Sequence, residues 1–114
     1  MKVIVCGGRN LQPYKEITDW IEDNLKKLKA TEVVSGMSKG ADIIGVHVSE
    51  SLGIPVKRFP ADWKRYGKSA GYLRNNQMAI YSDACLVLPG GRGTADMKNK
   101  AVFNGLRVIV FNLT

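Results

Sequence analysis

Three glycines lie within four residues in the segment PGGRGT, positions 89–94, directly after an apolar run. Glycine is kept mainly where a backbone turns sharply or where another group approaches it closely. Without side chains at Gly90, Gly91 and Gly93, backbone N–H groups at the start of a following helix could reach a phosphate, and Arg92 could add a charged contact. The segment therefore predicts a phosphate-binding loop; a tight glycine turn without a ligand is the alternative.

A second glycine-rich loop, SGMSKGAD at positions 35–42, repeats this pattern. Ser38 and Lys39 could contact an anion, while Gly36 would open the turn and Gly40 would let a helix begin close to the ligand. The loop lacks the G-x-x-x-x-G-K-S/T spacing of a P-loop, which argues against nucleoside triphosphate hydrolysis of that type. The segment CGGR at positions 6–9 also lacks the full G-x-G-x-x-G dinucleotide fingerprint and is weak evidence by itself.

The long segment PADWKRYGKSAGYLRNN, positions 60–76, combines aromatic, basic and amide side chains. Trp63 and Tyr66 stand among three cations, and aromatic rings beside cations can stack on a base while its phosphate is held. The alternative is that Trp63 fills the core beneath a long loop. Arg74 and Asn75 follow at the start of a predicted helix, where an arginine could point at the same ligand.

Five short runs rich in branched aliphatic residues indicate the strands that must position these loops. They are KVIV at 2–5, EVVS at 32–35, PVKRF at 55–59, CLVL at 85–88 and RVIVF at 107–111. All but the third lack clean apolar–polar alternation, which is typical of strands covered on both faces. Apolar stripes at helical spacing lie between the strands, at Ile17, Trp20, Ile21, Leu25 and Leu28, at Ala41, Ile44, Val48 and Leu52, and at Leu73, Gln77, Ile80 and Tyr81.

A fourth helix is predicted after the last glycine loop, with Thr94 as its N-cap and with Met97 and Ala101 facing inward. Strands that alternate with helices in this way imply a parallel sheet with right-handed crossovers in an open α/β sandwich. Gly53 and Gly105 stand where helices end and are expected as ordinary C-caps.

The strand-to-helix loops carry nearly all the chemistry, whereas the helix-to-strand turns are plain. In a parallel sheet these loops emerge at one edge, the carboxyl edge, where open α/β folds bind ligands. The loops hold seven cations (Arg9, Lys39, Lys64, Arg65, Lys68, Arg74 and Arg92) against Asp42, Asp62 and Asp96, an excess of four within a formal net charge of +7. A cationic rim above helix N-termini suits a phosphate.

The residues expected to contact the ligand come from all of these loops. They are Gly7, Gly8, Arg9, Gly36, Ser38, Lys39, Gly40, Asp42, Asp62, Trp63, Tyr66, Arg74, Asn75, Pro89, Gly90, Gly91, Arg92, Gly93 and Thr94. We expect no metal and no cofactor. His47 falls within the second helix and is assigned no catalytic role.

Length and composition indicate one globular domain over residues 1–114, with 45% hydrophobic and 24% charged residues. No apolar run approaches the roughly 20 residues that cross a bilayer, and the N-terminus reaches its glycines too early for a signal peptide. Cys6 and Cys85 match no metal spacing and fall in or beside buried strands, so we expect two reduced core thiols. These features predict a cytoplasmic protein without membrane contact.

The motifs together resemble the SLOG superfamily of Rossmann-like nucleotide-binding domains. This superfamily includes the cytokinin-activating phosphoribohydrolases once labelled lysine decarboxylases, DNA-processing proteins of bacterial transformation and sensor domains of antiphage systems. The resemblance covers nearly the whole chain and is greatest to small single-domain members of bacteria and phages. It rests on GGR after the first strand, G…GAD at the second helix, PADW…YG..AG..RN..M and PGGRGTADM. It implies a Rossmann-like three-layer sandwich, with a parallel five-stranded sheet and helices on both faces.

The chain departs from the phosphoribohydrolases at a position that matters for chemistry. Those enzymes carry P-G-G-x-G-T-x-x-E and an upstream R-K-x-x-M; here Arg74 and Met78 fit the second pattern, with Asn75 in place of lysine. Met97 occupies the glutamate position, where a carboxylate would stabilise oxocarbenium character or activate water. Asp96 lies one residue earlier, about 100° around the helix, so its carboxylate would aim elsewhere. If the chain is an enzyme, the resemblance suggests Arg74 and Asp96 as catalytic candidates.

Three functions follow as hypotheses. The first is a module that binds a nucleotide or nucleotide-derived molecule, as a sensor or sequestering protein. The second is an N-glycosidic hydrolase acting on nucleotides, with Asp96, Asp62 or Asp42 as its carboxylate and Arg74 on the phosphate. The third is single-stranded DNA binding, which ranks last because the basic residues surround an expected pocket rather than forming a stripe. A homo-oligomer of two or more copies is compatible with each.

Overall fold

A computed structural model describes residues 1–112 of the chain. Five strands form one sheet: β1 (Lys2–Cys6), β2 (Glu32–Ser35), β3 (Val56–Arg58), β4 (Ala84–Val87) and β5 (Arg107–Val110). Every neighbouring pair is parallel, and the order across the sheet is β3-β2-β1-β4-β5. The predicted parallel five-stranded sheet is confirmed, and each predicted strand end lies within one residue of the observed one.

Helices cover both faces of this sheet, so the three-layer sandwich is confirmed. They are α1 (Lys15–Lys27), α2 (Ala41–Ser51), the single turn α3 (Trp63–Tyr66), α4 (Ala70–Tyr81) and α5 (Arg92–Phe103), with a 3₁₀ turn at Gly67–Ser69. Alternate strand residues divide between the faces: Val3 and Val5 pack with α1 and α2, whereas Ile4 and Cys6 pack with α4 and α5. This period-two division is what a strand buried on both faces requires.

The apolar stripes of α1 and α2 face the sheet as predicted, but the stripe predicted for α4 is wrong at three of its four residues; the fourth, Tyr81, packs against the core. Leu73, Gln77 and Ile80 point to solvent, with Ile80 69% exposed. Asn75 and Met78 are buried instead. The reason is that the inner face of α4 also borders the loops at the sheet edge, where Asn75 makes hydrogen bonds to α5 that offset the cost of burying its amide.

Two further expectations are corrected at the end of the chain. Helix α5 begins at Arg92 with Gly91 as its N-cap, so Thr94 lies inside the first turn and is not the cap. Met97 and Ala101 do face inward, as predicted. Strand β5 is not covered on both faces along its length, because it forms the sheet edge and exposes Val110 to 39%.

Gly53 and Gly105 have φ values of 72° and 77° just after α2 and α5, which confirms the predicted C-caps. Cys6 and Cys85 are both free and buried, with their Sγ atoms 3.8 Å apart, so the expectation of two reduced core thiols is confirmed. Within residues 1–112, no helix has the length and apolar character needed to cross a lipid bilayer.

The strand order places the glycine-rich loops together. The chain runs outward from β1 through β2 to β3 on one side, then returns to place β4 and β5 on the other. The loops that follow β1 and β4 therefore diverge from neighbouring strands at a topological switch point, which is where open α/β sheets form a ligand crevice.

Candidate functional site

The loop after β1 packs directly against the loop after β4 through glycine backbone. The Gly8 N–H donates to the Pro89 carbonyl oxygen at 2.7 Å, and the Gly8 carbonyl accepts from the Ala41 N–H at 3.1 Å. A Cβ at Gly90 would lie 2.7 Å from the Gly8 nitrogen and 2.1 Å from Thr94 Oγ1, both closer than real Cβ contacts. The two loops can touch because Gly90 has no side chain, since a Cβ there would not fit between Gly8 and Thr94.

Gly7 and Gly40 have similar packing roles on the α2 side. A Cβ at Gly7 would lie 2.7 Å from the Ala41 Cβ and 2.8 Å from the Leu88 Cβ. Gly40 adopts a φ of +76°, and its Cβ would lie 2.2 Å from the Gly8 carbonyl oxygen. These glycines let α2 begin against the end of β1, so their first function is to form the wall of the site.

Gly91 and Gly93 differ, because a Cβ at either position would meet no atom within 4 Å. Both are exposed at the start of α5, and Arg92 between them is exposed as well. The first intrahelical bond of α5 is donated by Ala95 to the Gly91 carbonyl, so the preceding amides have no helical acceptor. Helix α5 has twelve residues, and its open start can offer N–H groups to an anion.

A cleft of about 360 Å³ lies beside this helix start. The predicted ligand residues that line it are Gly7, Gly8, Arg9, Ser38, Asp42, Trp63, Arg74, Asn75, Gly91, Arg92, Gly93 and Thr94. The remaining predicted ligand residues are not part of the lining: Gly36, Lys39, Gly40, Asp62, Tyr66, Pro89 and Gly90. Cations dominate the charged groups of the lining, with Arg9, Lys68, Arg74 and Arg92 against the single carboxylate of Asp42.

Several residues outside the lining have visible structural partners. Gly36 makes room for a guanidinium, since its Cβ would lie 2.5 Å from Arg74 Nη1. Asp62 caps the short helix α3 by accepting the Arg65 N–H at 3.2 Å. Tyr66 is 45% exposed beside the Arg65 guanidinium, whose carbon lies 5.2 Å from its ring centre.

Other lining residues were missed by the sequence analysis: Cys6, Gly71, Tyr72, Met78 and Met97, with Lys68 noted only as a rim cation. A signal for part of this set existed. Gly71, Asn75 and Met78 follow the i, i+4, i+7 spacing of one helix face, a mixed face that apolar periodicity does not detect.

Arg74 connects α4 to the ends of two strands. Its Nη1 donates to the carbonyl oxygens of Gly36, after β2, and Phe59, after β3, while Nε donates to Asn75 Oδ1 at 3.1 Å. Burial lowers the pKa of Arg74, and nearby Asp42 opposes that shift, but a guanidinium remains charged in proteins. Nη2 donates no hydrogen bond within residues 1–112, so its N–H groups remain for a ligand.

Asp42, in the first turn of α2, is 8% exposed. Its Oδ2 accepts the Ser38 N–H at 3.2 Å. Burial raises the pKa of Asp42 to about 6, although the amides of Ser38 and Gly36 and the charge of Arg74 favour the ionised form. The carboxylate therefore titrates close to neutral pH.

Asp96 does not line the cleft. Its Oδ2 accepts hydrogen bonds from Asn75 Nδ2 at 3.1 Å and from Lys100 Nζ at 2.9 Å, in a network that joins α4 to α5. Met97, 1% exposed, faces the cleft from the same helix turn. Among residues 1–112, Asn75 hydrogen-bonds to both Asp96 and Arg74, and Arg74 lines the cleft whereas Asp96 does not.

Trp63 lies at the mouth of the cleft and is 56% exposed, so the alternative that it fills the core is wrong. Its ring packs over Gly71, whose Cβ would lie 3.4 Å from the indole. Tyr72, 46% exposed, borders the same opening. Two partly exposed rings therefore lie beside the cations, with Lys100 Nζ 5.5 Å from the centre of the Tyr72 ring.

Comparison with known proteins finds a family and a phage protein that the chain resembles. Residues 1–66 match the model of a family described as YAcAr, the YspA, cpYpsA-related SLOG family. The chain is also similar to the Gene 61 protein of Mycobacterium phage D29, with 32% identity over 119 residues that cover 96% of this chain and 95% of that protein. No solved structure matches it with significance.

Proposed function

Because the chain belongs to the YspA, cpYpsA-related SLOG family, we propose that it binds a nucleotide or nucleotide-derived molecule in the cleft, as a sensor or sequestering module. The observation that carries this proposal is the open start of α5. Gly91 and Gly93 leave space in front of its unpaired amides, and four cations line the adjoining cleft against one carboxylate. That combination suits a phosphate group.

The other end of the ligand is expected at the aromatic mouth. Trp63 and Tyr72 present exposed rings, and stacking on a base is tolerant of which base is present. The volume of about 360 Å³ lies at the small end of ligand pockets, which span roughly 300–1,000 Å³. This favours a mononucleotide-sized ligand.

Binding without hydrolysis is the better supported reading of this cleft. Met97 faces the cleft where the phosphoribohydrolase pattern has glutamate, and Asp96 is engaged by Asn75 and Lys100. Hydrolysis of an N-glycosidic bond would have to use Asp42, whose pKa of about 6 is compatible with proton transfer. This is the second candidate function.

Single-stranded DNA binding has less support. The four cleft cations surround a pocket, whereas Lys64 and Arg65 lie exposed outside it on α3. A backbone-tracking groove would need its cations in a continuous path.

The proposal is tested by mass spectrometry of small molecules released when the purified protein is denatured. A retained nucleotide, or measurable binding from a panel of nucleoside monophosphates by calorimetry, is the expected result. Free base should not accumulate when the protein is incubated with the same panel. Failure of every nucleotide to bind would contradict the proposal, and base release abolished by Asp42→Asn would favour the hydrolase.

A further inference from the structure

Asp42 is an unusual group for a cleft that attracts anions. It is 8% exposed; the charge of Arg74 favours its ionised form from beyond 4 Å, and no direct ion pair reaches the carboxylate among residues 1–112. Removing a carboxylate from water without an ion pair is costly, and placing it beside a phosphate site opposes anion binding. A group with both disadvantages calls for a function that a neutral side chain would not provide.

Support of the local backbone uses only part of the carboxylate. The Ser38 N–H donates to Oδ2, and the Gly36 amide also faces the group. An ionised carboxylate has about four acceptor positions, so two amides leave acceptor capacity on the cleft side. A serine or asparagine at the same position could accept from these amides without a buried charge.

Asp42 and the expected phosphate position lie in neighbouring parts of the cleft. Asp42 is in the first turn of α2, which begins against the end of β1 through the Ala41–Gly8 hydrogen bond, and the open start of α5 follows β4, the neighbour of β1. One strand spacing is roughly 5 Å, a separation that a sugar attached to the phosphate can span. A nucleotide whose phosphate lies at Gly91–Gly93 would extend across the end of β1, with its sugar directed toward Asp42.

We propose that Asp42 accepts hydrogen bonds from the sugar hydroxyls of the bound nucleotide, so that the cleft selects ribonucleotides over 2′-deoxyribonucleotides. This inference rests on the proposed nucleotide binding. A carboxylate only accepts, and the neighbouring 2′- and 3′-hydroxyls are donors that one carboxylate can receive together. A 2′-deoxy ligand would leave a buried acceptor unpaired, which sites of this kind reject strongly.

The experiment compares nucleoside monophosphates with their 2′-deoxy counterparts by calorimetry at pH 8, on the wild type, Asp42→Asn and Asp23→Asn. Asp23→Asn removes the same charge from the exposed face of α1 and is the matched control. The wild type should bind the best ribonucleotide about tenfold or more tightly than its deoxy form. Asp42→Asn should reduce that ratio toward one, and Asp23→Asn should leave it unchanged.

Each outcome distinguishes the two proposals. If no monophosphate binds the wild type, the proposed function itself fails. Equal binding of ribo and deoxy ligands by the wild type overturns the inference while nucleotide binding stands, and it needs no variant that has to fold. The inference is also overturned if Asp42→Asn weakens ribonucleotide and deoxyribonucleotide binding by the same factor. It is overturned as well if the variant changes the preference among bases but keeps the ratio of ribonucleotide to deoxyribonucleotide affinity.

Discussion

The glycines around the cleft form two groups that look alike in sequence and differ in structure. Gly7, Gly40 and Gly90 have neighbours so close that a Cβ would meet another atom within 2.7 Å, whereas Gly91 and Gly93 have nothing within 4 Å. The first group forms the wall of the cleft, and the second leaves open space in front of the start of α5. Part of the rim therefore holds the fold together, and part is available to a ligand.

We expect the largest effect of a substitution at Gly40. Gly40→Ala combines a φ of +76° with a Cβ 2.2 Å from the Gly8 carbonyl oxygen, so the loops must separate. We expect a loss of more than about 3 kcal/mol in the free energy of unfolding, measured by urea denaturation.

Gly53→Ala is the matched control, because Gly53 has a φ of +72° and no atom within 4 Å of its Cβ position. The free energy of unfolding of Gly53→Ala should fall only by the cost of a positive φ for alanine, about 1–2 kcal/mol. Equal losses in the two variants would show that conformation, not packing, explains Gly40.

Asp42 also faces the cleft, and we expect its buried charge to lower the free energy of unfolding. Its folded-state pKa of about 6 lies above the ordinary value of 3.8. Below pH 3.8 the group is largely protonated in both states and no penalty applies; between pH 3.8 and about 6 the unfolded state ionises while the folded state stays protonated, so stability falls, and the loss is complete above pH 6. The free energy of unfolding of Asp42→Asn should therefore exceed that of the wild type by up to about 3 kcal/mol at pH 8 and by little at pH 4.

Urea denaturation of both proteins at the two pH values checks this difference. Arg74 is the cation that faces Asp42 and limits the gain. A variant that is less stable at pH 8 than at pH 4, relative to the wild type, would mean that the carboxylate supports the fold.

Gly91→Val tests the open group directly. Its Cβ meets no atom and its φ is −101°, so the variant should fold with stability within about 1 kcal/mol of the wild type. The branched side chain should nevertheless block the start of α5 and abolish the ligand-induced rise in melting temperature. If the variant fails to fold, Gly91 belongs with the wall glycines and the division proposed here is wrong.

The smallest effect is expected from Arg92→Ala, which removes one exposed contact and no packing. Loss of a charge-assisted hydrogen bond should weaken nucleotide binding about tenfold in calorimetry. Lys27→Ala, at the exposed end of α1, should leave affinity unchanged. Similar losses in both variants would indicate diffuse electrostatic attraction and favour nucleic acid as the ligand.

The sequence predicted the elements better than it predicted the role of each residue. Aliphatic periodicity identified the strands, α1 and α2, because their apolar residues pack together in the core. It failed for α4, where buried Asn75 is stabilised by partners on α5 that lie 18 and 21 residues away along the chain. For the same reason, glycine spacing located the cleft but could not separate Gly90 from Gly91, since the distinction depends on where the loop after β1 lies.

The backbone contacts of Gly8 also have a consequence for dynamics. Its N–H is bonded to Pro89 and its carbonyl to Ala41, so two connecting segments are tied as neighbouring strands would be. In hydrogen–deuterium exchange, the amides of Gly8 and Ala41 should therefore exchange with the slow rates of the sheet, although neither residue belongs to a strand. A wall already ordered in this way adds little entropic cost when a ligand arrives, which leaves more of the contact energy for affinity.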